Sequence, residues 1–418
     1  MPRPMAAGGQ GLTALYIWQS DYPWDVRAEK VCRSLTDCGF EVHLAARNRR
    51  WAPPVEALPE AVAHRLTPWP WLGKRLDAAL QFPAFFSPRW AHHLARTARR
   101  ARPDVIIVRD VPLAPAAIWT GRRSGVPVVI DMAENYPALM ADIWAAARQR
   151  PWDVVVRNPR AVAAVEAYSV RRVDHVVVVV EENAERVAAL GLPRERITIV
   201  SNTPPRARAL VRRASRAPSA DAPMEIVFLG ILEIPRGLDE AIGAVKLLRD
   251  AGVRAQLTVI GTGRDAALFE QRARAIGLTE DEVRFTGYIP RHEDALDLVA
   301  AADVGLVPFR ATGQWQASIP NKLFDYMAAA LAVVTSDTAP CARIVRETGA
   351  GEVFRAGDAE DLARALRRFT DPTVRAAAGA AGRQAVLTRY NWEQDGEVFC
   401  RTIQSVAVTA ASTRGRRT

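Results

Sequence analysis

Two successive series of short β-rich runs, each run followed by a longer amphipathic stretch, limit most severely what this chain can fold into. Alternation of this kind builds a parallel sheet covered by helices. In the first series the expected strands are Leu12 to Trp18, Glu41 to Ala46, Asp104 to Val108, Val126 to Ile130, His175 to Val180 and Ile197 to Ser201. Helices such as Arg27 to Asp37 and Glu182 to Leu190 lie between them. Residues 204–223, rich in Pro and Arg and poor in apolar periodicity, break the pattern and read as a linker. The second series runs through Glu225 to Gly230, Gln256 to Gly261, Val283 to Gly287, Val304 to Phe309, Ala332 to Ser336 and Gly351 to Phe354. The expected fold class is therefore α/β, with two doubly wound Rossmann-like domains facing across a cleft. They take residues 1–203 and 224–390, and residues 391–418 form a final helix with a short tail. A length of 418 residues agrees with two domains, because single cores stop growing near about 250 to 300 residues. Doubly wound units hold ligands at the carboxyl ends of their strands, which is where function is expected.

Composition removes several alternatives. The longest apolar run, Tyr326 to Val334, has nine residues, whereas a membrane-spanning helix needs about 20. The N-terminal MPRPMAAGGQG lacks the apolar core of a secretory signal, so a cytoplasmic protein is expected. Cys32, Cys38, Cys341 and Cys400 contain no CxxC pair and read as reduced thiols. Neither HExxH nor an Asp-x-Asp triplet occurs, so no tightly bound metal and no cofactor are expected. The net charge is +10, yet only four of the 56 basic residues are lysines. Residues 65–123 hold eleven basic and three acidic side chains, interleaved with Trp69, Trp71, Phe82, Phe85, Phe86 and Trp90. No nucleic-acid-binding motif accompanies this patch, so no nucleic-acid partner is expected. An anionic membrane surface is its candidate partner, against core aromatics flanked by solvated arginines.

The nearest approach to a dinucleotide fingerprint, Gly261-Thr262-Gly263, lacks its third glycine, and no GxxxxGK[ST] phosphate loop occurs. The segments LGILEIPRGLDEAI, LTVIGTGRDAALFEQRARAIGL, VRFTGYIPRHEDALDLVAAADVGLVPF, IPNKLFDYMAAALAVVTS and GAGEVFRAGDAEDLARAL match another pattern. In order and approximate spacing they resemble the retaining glycosyltransferases of family 4, which have the GT-B fold. The first unit resembles the same family's acceptor domain through PWDVRAEKVCRSLTDCGFEVHLAA, VIIVRDVPLAPA and VVIDMAENYP. The resemblance implies a nucleotide-diphosphate sugar donor, a glycan or lipid-linked acceptor, and a place in bacterial surface polysaccharide or glycolipid assembly. It also implies that the final helix, from Trp392 to about Val408, crosses back onto the first domain. Its apolar stripe is expected at Val398, Phe399, Ile403 and Val406.

A sugar nucleotide needs donors for its phosphates, a slot for its base and an acceptor for its ribose. Arg236 follows the second unit's first strand, and Gly237 opens a helix whose N–H groups suit an anion. Lys322, at the helix start in PNK, adds a second charge. By resemblance Asp325 binds the ribose diol, where the family usually has Glu. The resemblance also implies that Gly261, Gly263 and Tyr288 lie beside the base; the glycines fit a strand end as well, and Tyr288 fits a core residue or a base wall equally. Gly230, Ser318 and Asn321 complete the expected substrate contacts. Asp131, Glu134 and Arg27 are the candidate catalytic group; the first two fit a helix cap and a first-turn acid as well. Three family contacts are missing: the usual His of Asp-x-His-Glu is Ala133, an Arg is Ile231 and a Glu is Ala317. Substitution by Glu134, Asn135, Arg27 or Ser318 explains this, as does a non-catalytic scaffold; a related epimerase or hydrolase is the other enzyme reading. Without a metal, arginine, lysine and helix N-termini neutralise the leaving diphosphate.

Overall fold

The computed structural model describes residues 11–23, 25–67, 69, 73, 76, 77, 80, 81, 84–146, 157–210 and 222–415. It divides into two compact units, one of residues 1–200 with 395–418 and the other of residues 201–394.

The first unit carries an eight-stranded sheet: β1 (Thr13–Asp21), β2 (Glu41–Arg47), β3 (Val55–Leu58), β4 (Ala61–Arg65), β5 (Val105–Arg109), β6 (Val128–Met132), β7 (His175–Val178) and β8 (Ile197–Ile199). Their spatial order is β3-β4-β2-β1-β5-β6-β7-β8, and every pair is parallel except β3 with β4. The hairpin β3–β4 is absent from the sequence expectation, because Pro59 splits a run whose first strand alternates between exposed and half-buried positions. The central strands needed no alternation, since helices cover both faces and every residue of β5 and β6 is buried. Leu15, Ile17, Trp90, Ile106, Val108, Ile130 and Val176 form the centre of this core.

Trp90 is fully buried, Phe85 is buried, and the buried Arg89 pairs with Asp77 at 2.9 Å. These three members of the expected surface patch are therefore interior residues. Phe85 lies in the turn Ala84–Phe86, and Arg89 and Trp90 lie in the Pro88–Ala101 helix, whose start Ser87 caps by accepting from the Trp90 N–H. Trp71, Lys74, Arg75 and Phe82 lie outside the described residues.

The second unit has a six-stranded, wholly parallel sheet: β9 (Met224–Leu229), β10 (Ala255–Ile260), β11 (Val283–Gly287), β12 (Val304–Val307), β13 (Ala332–Ser336) and β14 (Gly351–Phe354). The order is β11-β10-β9-β12-β13-β14, so the chain reverses direction of growth between β9 and β12. In the first unit the corresponding switch lies between β1 and β5. Crevices at the carboxyl ends of such strand pairs are where doubly wound sheets take ligands.

The linker differs from expectation: residues Arg206–Leu210 form a helix, held by Arg383 donating to the Ala209 carbonyl at 2.5 Å. The final helix runs Trp392–Gly415 and so outlasts its expected end. Residues 395–418 group with the first unit. Its buried line is Phe399, Cys400, Ile403 and Ala407, while Val398 and Val406 are only half-buried.

Candidate functional site

The second unit's candidate site grows from the ends of β9 and β12. After β9 the backbone turns at Gly230, and the 3-10 turn Ile234–Arg236 delivers Arg236 to the start of the Leu238–Asp250 helix. Gly237 joins them at φ 71°, where a Cβ would also overlap the Pro308 carbonyl beyond β12. Only glycine satisfies both conditions. Gly261, at φ 134°, packs on the Gly230 carbonyl, and Gly263 packs on Leu232. The expected glycines therefore bring the loops after β9 and β10 together.

Lys322 is the second residue of the Asn321–Ala328 helix. Tyr326 on that helix accepts the Leu229 N–H at 2.9 Å, which fixes the helix to the end of β9. Lys322 is only 6% exposed and its Nζ has no hydrogen-bond partner. It sits 3.6 Å from the Phe228 ring centroid and 4.9 Å from that of Phe309. The Arg236 guanidinium lies 5.3 Å from Phe309 and 5.1 Å from Trp315. Burial, and then the Arg236 charge, push the Lys322 ammonium well below the ordinary lysine range. Two cations thus share one aromatic floor, and a buried ammonium without a counter-ion is costly.

Asp325, one turn beyond Lys322, is 8% exposed and accepts from Arg208 at 2.6 Å. Arg208 belongs to the region read as linker, so sequence reasoning missed it. Ser318 is buried and Asn321 exposed. Tyr288 is 71% exposed, which decides against a core role. Ile231 is exposed and Ala317 buried at the positions where family side chains are missing.

In the first unit, Asp131 is the penultimate residue of β6 and has no exposed surface. Its carboxylate accepts from Arg27 Nη2 at 2.6 Å, Arg27 Nε at 3.0 Å and the Tyr16 hydroxyl at 2.9 Å. Burial works against the charge, but Arg27's charge and hydrogen bonds hold Asp131 below the usual carboxylate range. Arg27 also donates to the Val200 carbonyl at 3.2 Å. Glu134, partly exposed, and Asn135, buried, follow on the loop leading to the Tyr136–Ala146 helix.

Arg109 and Asp110 were missed. Asp110 adopts the left-handed φ of 58°, and its carboxylate accepts the Ala133 N–H at 2.9 Å and the Glu134 N–H at 3.3 Å. Burial pushes it up to about 7, against the lowering charge of Arg109. The buried Arg109 lies 3.4 Å from Asp25 and stacks on Trp18 at 4.9 Å. Strained, buried charges concentrate at functional sites. Their signal was available: an Arg-Asp pair directly ends the apolar run VIIV.

Two cavities of the first unit lie elsewhere. One of about 970 Å³ borders the amino ends of β6 and β7 and the final helix, with Arg122, Arg172, Arg196 and Arg401 on its walls. The other, about 520 Å³, is an apolar groove walled by Phe85, Phe86, Pro88, Pro115, Trp119 and Tyr168. Phe86, Trp119 and Tyr168 are 72%, 43% and 42% exposed. Arg123 stacks on Trp119 and Arg172 on Tyr168.

A family model described as Glycosyl transferase 4-like domain matches residues 25–203, and one described as Glycosyl transferases group 1 matches residues 223–371. Glycogen synthase of Mycobacterium tuberculosis is 27% identical over 299 residues, covering 71% of this chain and 67% of its own. The putative colanic acid biosynthesis glycosyltransferase WcaL of Escherichia coli is 30% identical over 205 residues, which span 48% of each chain. The structure of Anabaena HepE in complex with UDP-glucose has a TM-score of 0.68 at 14% identity, covering 94% of this chain and 100% of that one.

Proposed function

The chain belongs to the GT-B glycosyltransferases and resembles family 4 among them, and we propose that it moves a sugar from a nucleoside diphosphate to a glycan or lipid-linked acceptor with retention of configuration. The reading is carried by Lys322, a buried amino group with no hydrogen-bond partner, beside Arg236. A diphosphate supplies the missing counter-charge, so the desolvation cost already present in the free protein favours an anionic ligand. As the sugar leaves, negative charge develops on the diphosphate; Arg236, Lys322 and the helix N-terminus at Gly237 stabilise it without a metal ion. Asp325 takes the ribose diol and Tyr288 the base, with Gly230, Gly261, Gly263, Ser318 and Asn321 completing the substrate contacts.

Residues 1–203 serve as the acceptor domain and residues 224–390 as the donor domain. Arg27 and Asp131 hold one another and Asp110 holds the Ala133-Glu134 backbone, which places Glu134 and Asn135 on a fixed loop where they meet sugar or acceptor. The leaving phosphate takes the acceptor's proton in same-face attack, and no protein nucleophile is required. The apolar groove, edged by arginines, supports a lipid-linked acceptor and contact with an anionic leaflet. WcaL's assignment to colanic acid biosynthesis supports a role in surface polysaccharide.

HepE is complexed with UDP-glucose, so UDP-sugars are the first donors to assay, followed by GDP- and ADP-sugars. Release of nucleoside diphosphate should depend on an acceptor glycan or glycolipid and persist in EDTA. Acceptor-independent release would instead identify a hydrolase, binding without turnover a scaffold, and strict dependence on magnesium would end the metal-independent mechanism.

A further inference from the structure

Cys38 closes the Val26–Asp37 helix, and Cys400 lies in the Trp392–Gly415 helix, 362 positions later. The Cys400 thiol donates to the Ser34 carbonyl at 3.1 Å. The Cys38 backbone N–H donates to the same carbonyl at 3.0 Å. One oxygen therefore gathers both residues at the end of one helix, with the two thiols near enough to shift one another's titration. Cys400 is buried, whereas Cys38 is half-buried and open to a reagent.

We propose that Cys38 and Cys400 form a site of reversible thiol oxidation, at which a low-molecular-weight disulfide such as oxidised glutathione joins the final helix to the Val26–Asp37 helix. The contact with Cys400 lowers the Cys38 thiol and raises its partner, which assigns the attacking and resolving roles. The Cys38 thiolate attacks one sulfur of the reagent, forming a mixed disulfide and expelling one glutathione thiolate. Cys400 then loses its proton and attacks the Cys38 sulfur, and the second glutathione leaves and takes up that proton. Two protein thiols are oxidised to one disulfide, and the reagent disulfide is reduced to two thiols. Cys32 and Cys341 have no part, each being buried from a reagent.

The test is peptide mapping of the full-length native protein after exposure to oxidised glutathione, with unfolding followed in parallel. The expected result is a Cys38–Cys400 cross-linked peptide that dithiothreitol removes, together with a higher, dithiothreitol-sensitive unfolding temperature. Cys400→Ser should stop the reaction at glutathionylated Cys38, and Cys38→Ser should leave Cys400 unmodified. Persistent glutathionylation of Cys38 in the unsubstituted protein, or four free thiols after treatment, would overturn the proposal. A cross-link involving Cys32 or Cys341 would overturn it as well.

Discussion

Lys322 concentrates the residue-scale argument. In the free protein, burial and Arg236 hold its ammonium below the ordinary lysine range, and a bound diphosphate must raise it again. Between the two values binding takes up a proton, so affinity should fall as pH rises through the bound-state value. Calorimetry of UDP in buffers of differing ionisation enthalpy should show net proton uptake, and Lys322→Met should abolish it. Asp325→Ala should weaken nucleotide binding by about 1 to 3 kcal/mol, the scale of hydrogen bonds to a charged group. Unchanged affinity with the fold intact would remove Asp325 from the site. Arg236, Gly237 and Lys322 could be proposed from sequence because a cation beside a helix start suits an anion. Asp110 carried only the weaker signal of an Arg-Asp pair ending an apolar run, since its left-handed backbone and its grip on Ala133 and Glu134 are made by the folded loop. Arg208, which reaches Asp325 across 117 positions of chain, left no trace in residue type.

Among the elements, the central strands announced themselves through continuous apolar runs, but the β3–β4 hairpin has neither such a run nor a clean alternation. That hairpin brings a histidine cluster into the structure. His64 on β4 lies 2.9 Å from His43 on β2, and its carbonyl is 3.2 Å from His93 of the Pro88–Ala101 helix. Burial pushes both His64 and His93 down to about 4. The unfolded chain then binds more protons than the folded one between about pH 6.5 and 4. Stability should be fully present above that window and fall through it as pH drops, by at most about 1.4 kcal/mol per pH unit for each histidine. Melting temperatures measured across the window should show this slope, and His64→Phe should flatten it; a slope unchanged by the substitution would place its origin elsewhere. The final helix makes a second element-scale case. Phe399 and Ile403 are fully buried on it, so Phe399→Ala should cost about 3 to 5 kcal/mol in urea unfolding. A loss within about 0.5 kcal/mol, the range of surface substitutions, would show that the helix is dispensable to its unit.

Considered as a whole molecule, the two-sheet organisation followed from the doubled strand series, whereas the basic patch did not survive intact. Trp90 turned inward as part of the apolar face of the Pro88–Ala101 helix, Phe85 from the turn before it, and Arg89 through its pairing with Asp77. Outward aromatics on the apolar groove are Phe86, Trp119 and Tyr168, from segments far apart in sequence. Vesicles rich in anionic lipid should therefore bind the protein at low salt and lose it when Trp119 and Tyr168 become Ala or Arg123 and Arg172 become Gln. Each such arginine contributes about 1 kcal/mol near an acidic surface. Equal, weak binding to neutral and acidic vesicles would remove the membrane from the picture and leave the donor site untouched. That site is tested most directly by titrating UDP and uridine into the protein and its Lys322→Met variant. The expected result is strong preference for the diphosphate in the unsubstituted protein and loss of most of that preference in the variant. Equal affinity for UDP and uridine in the unsubstituted protein would contradict a diphosphate site at Arg236 and Lys322.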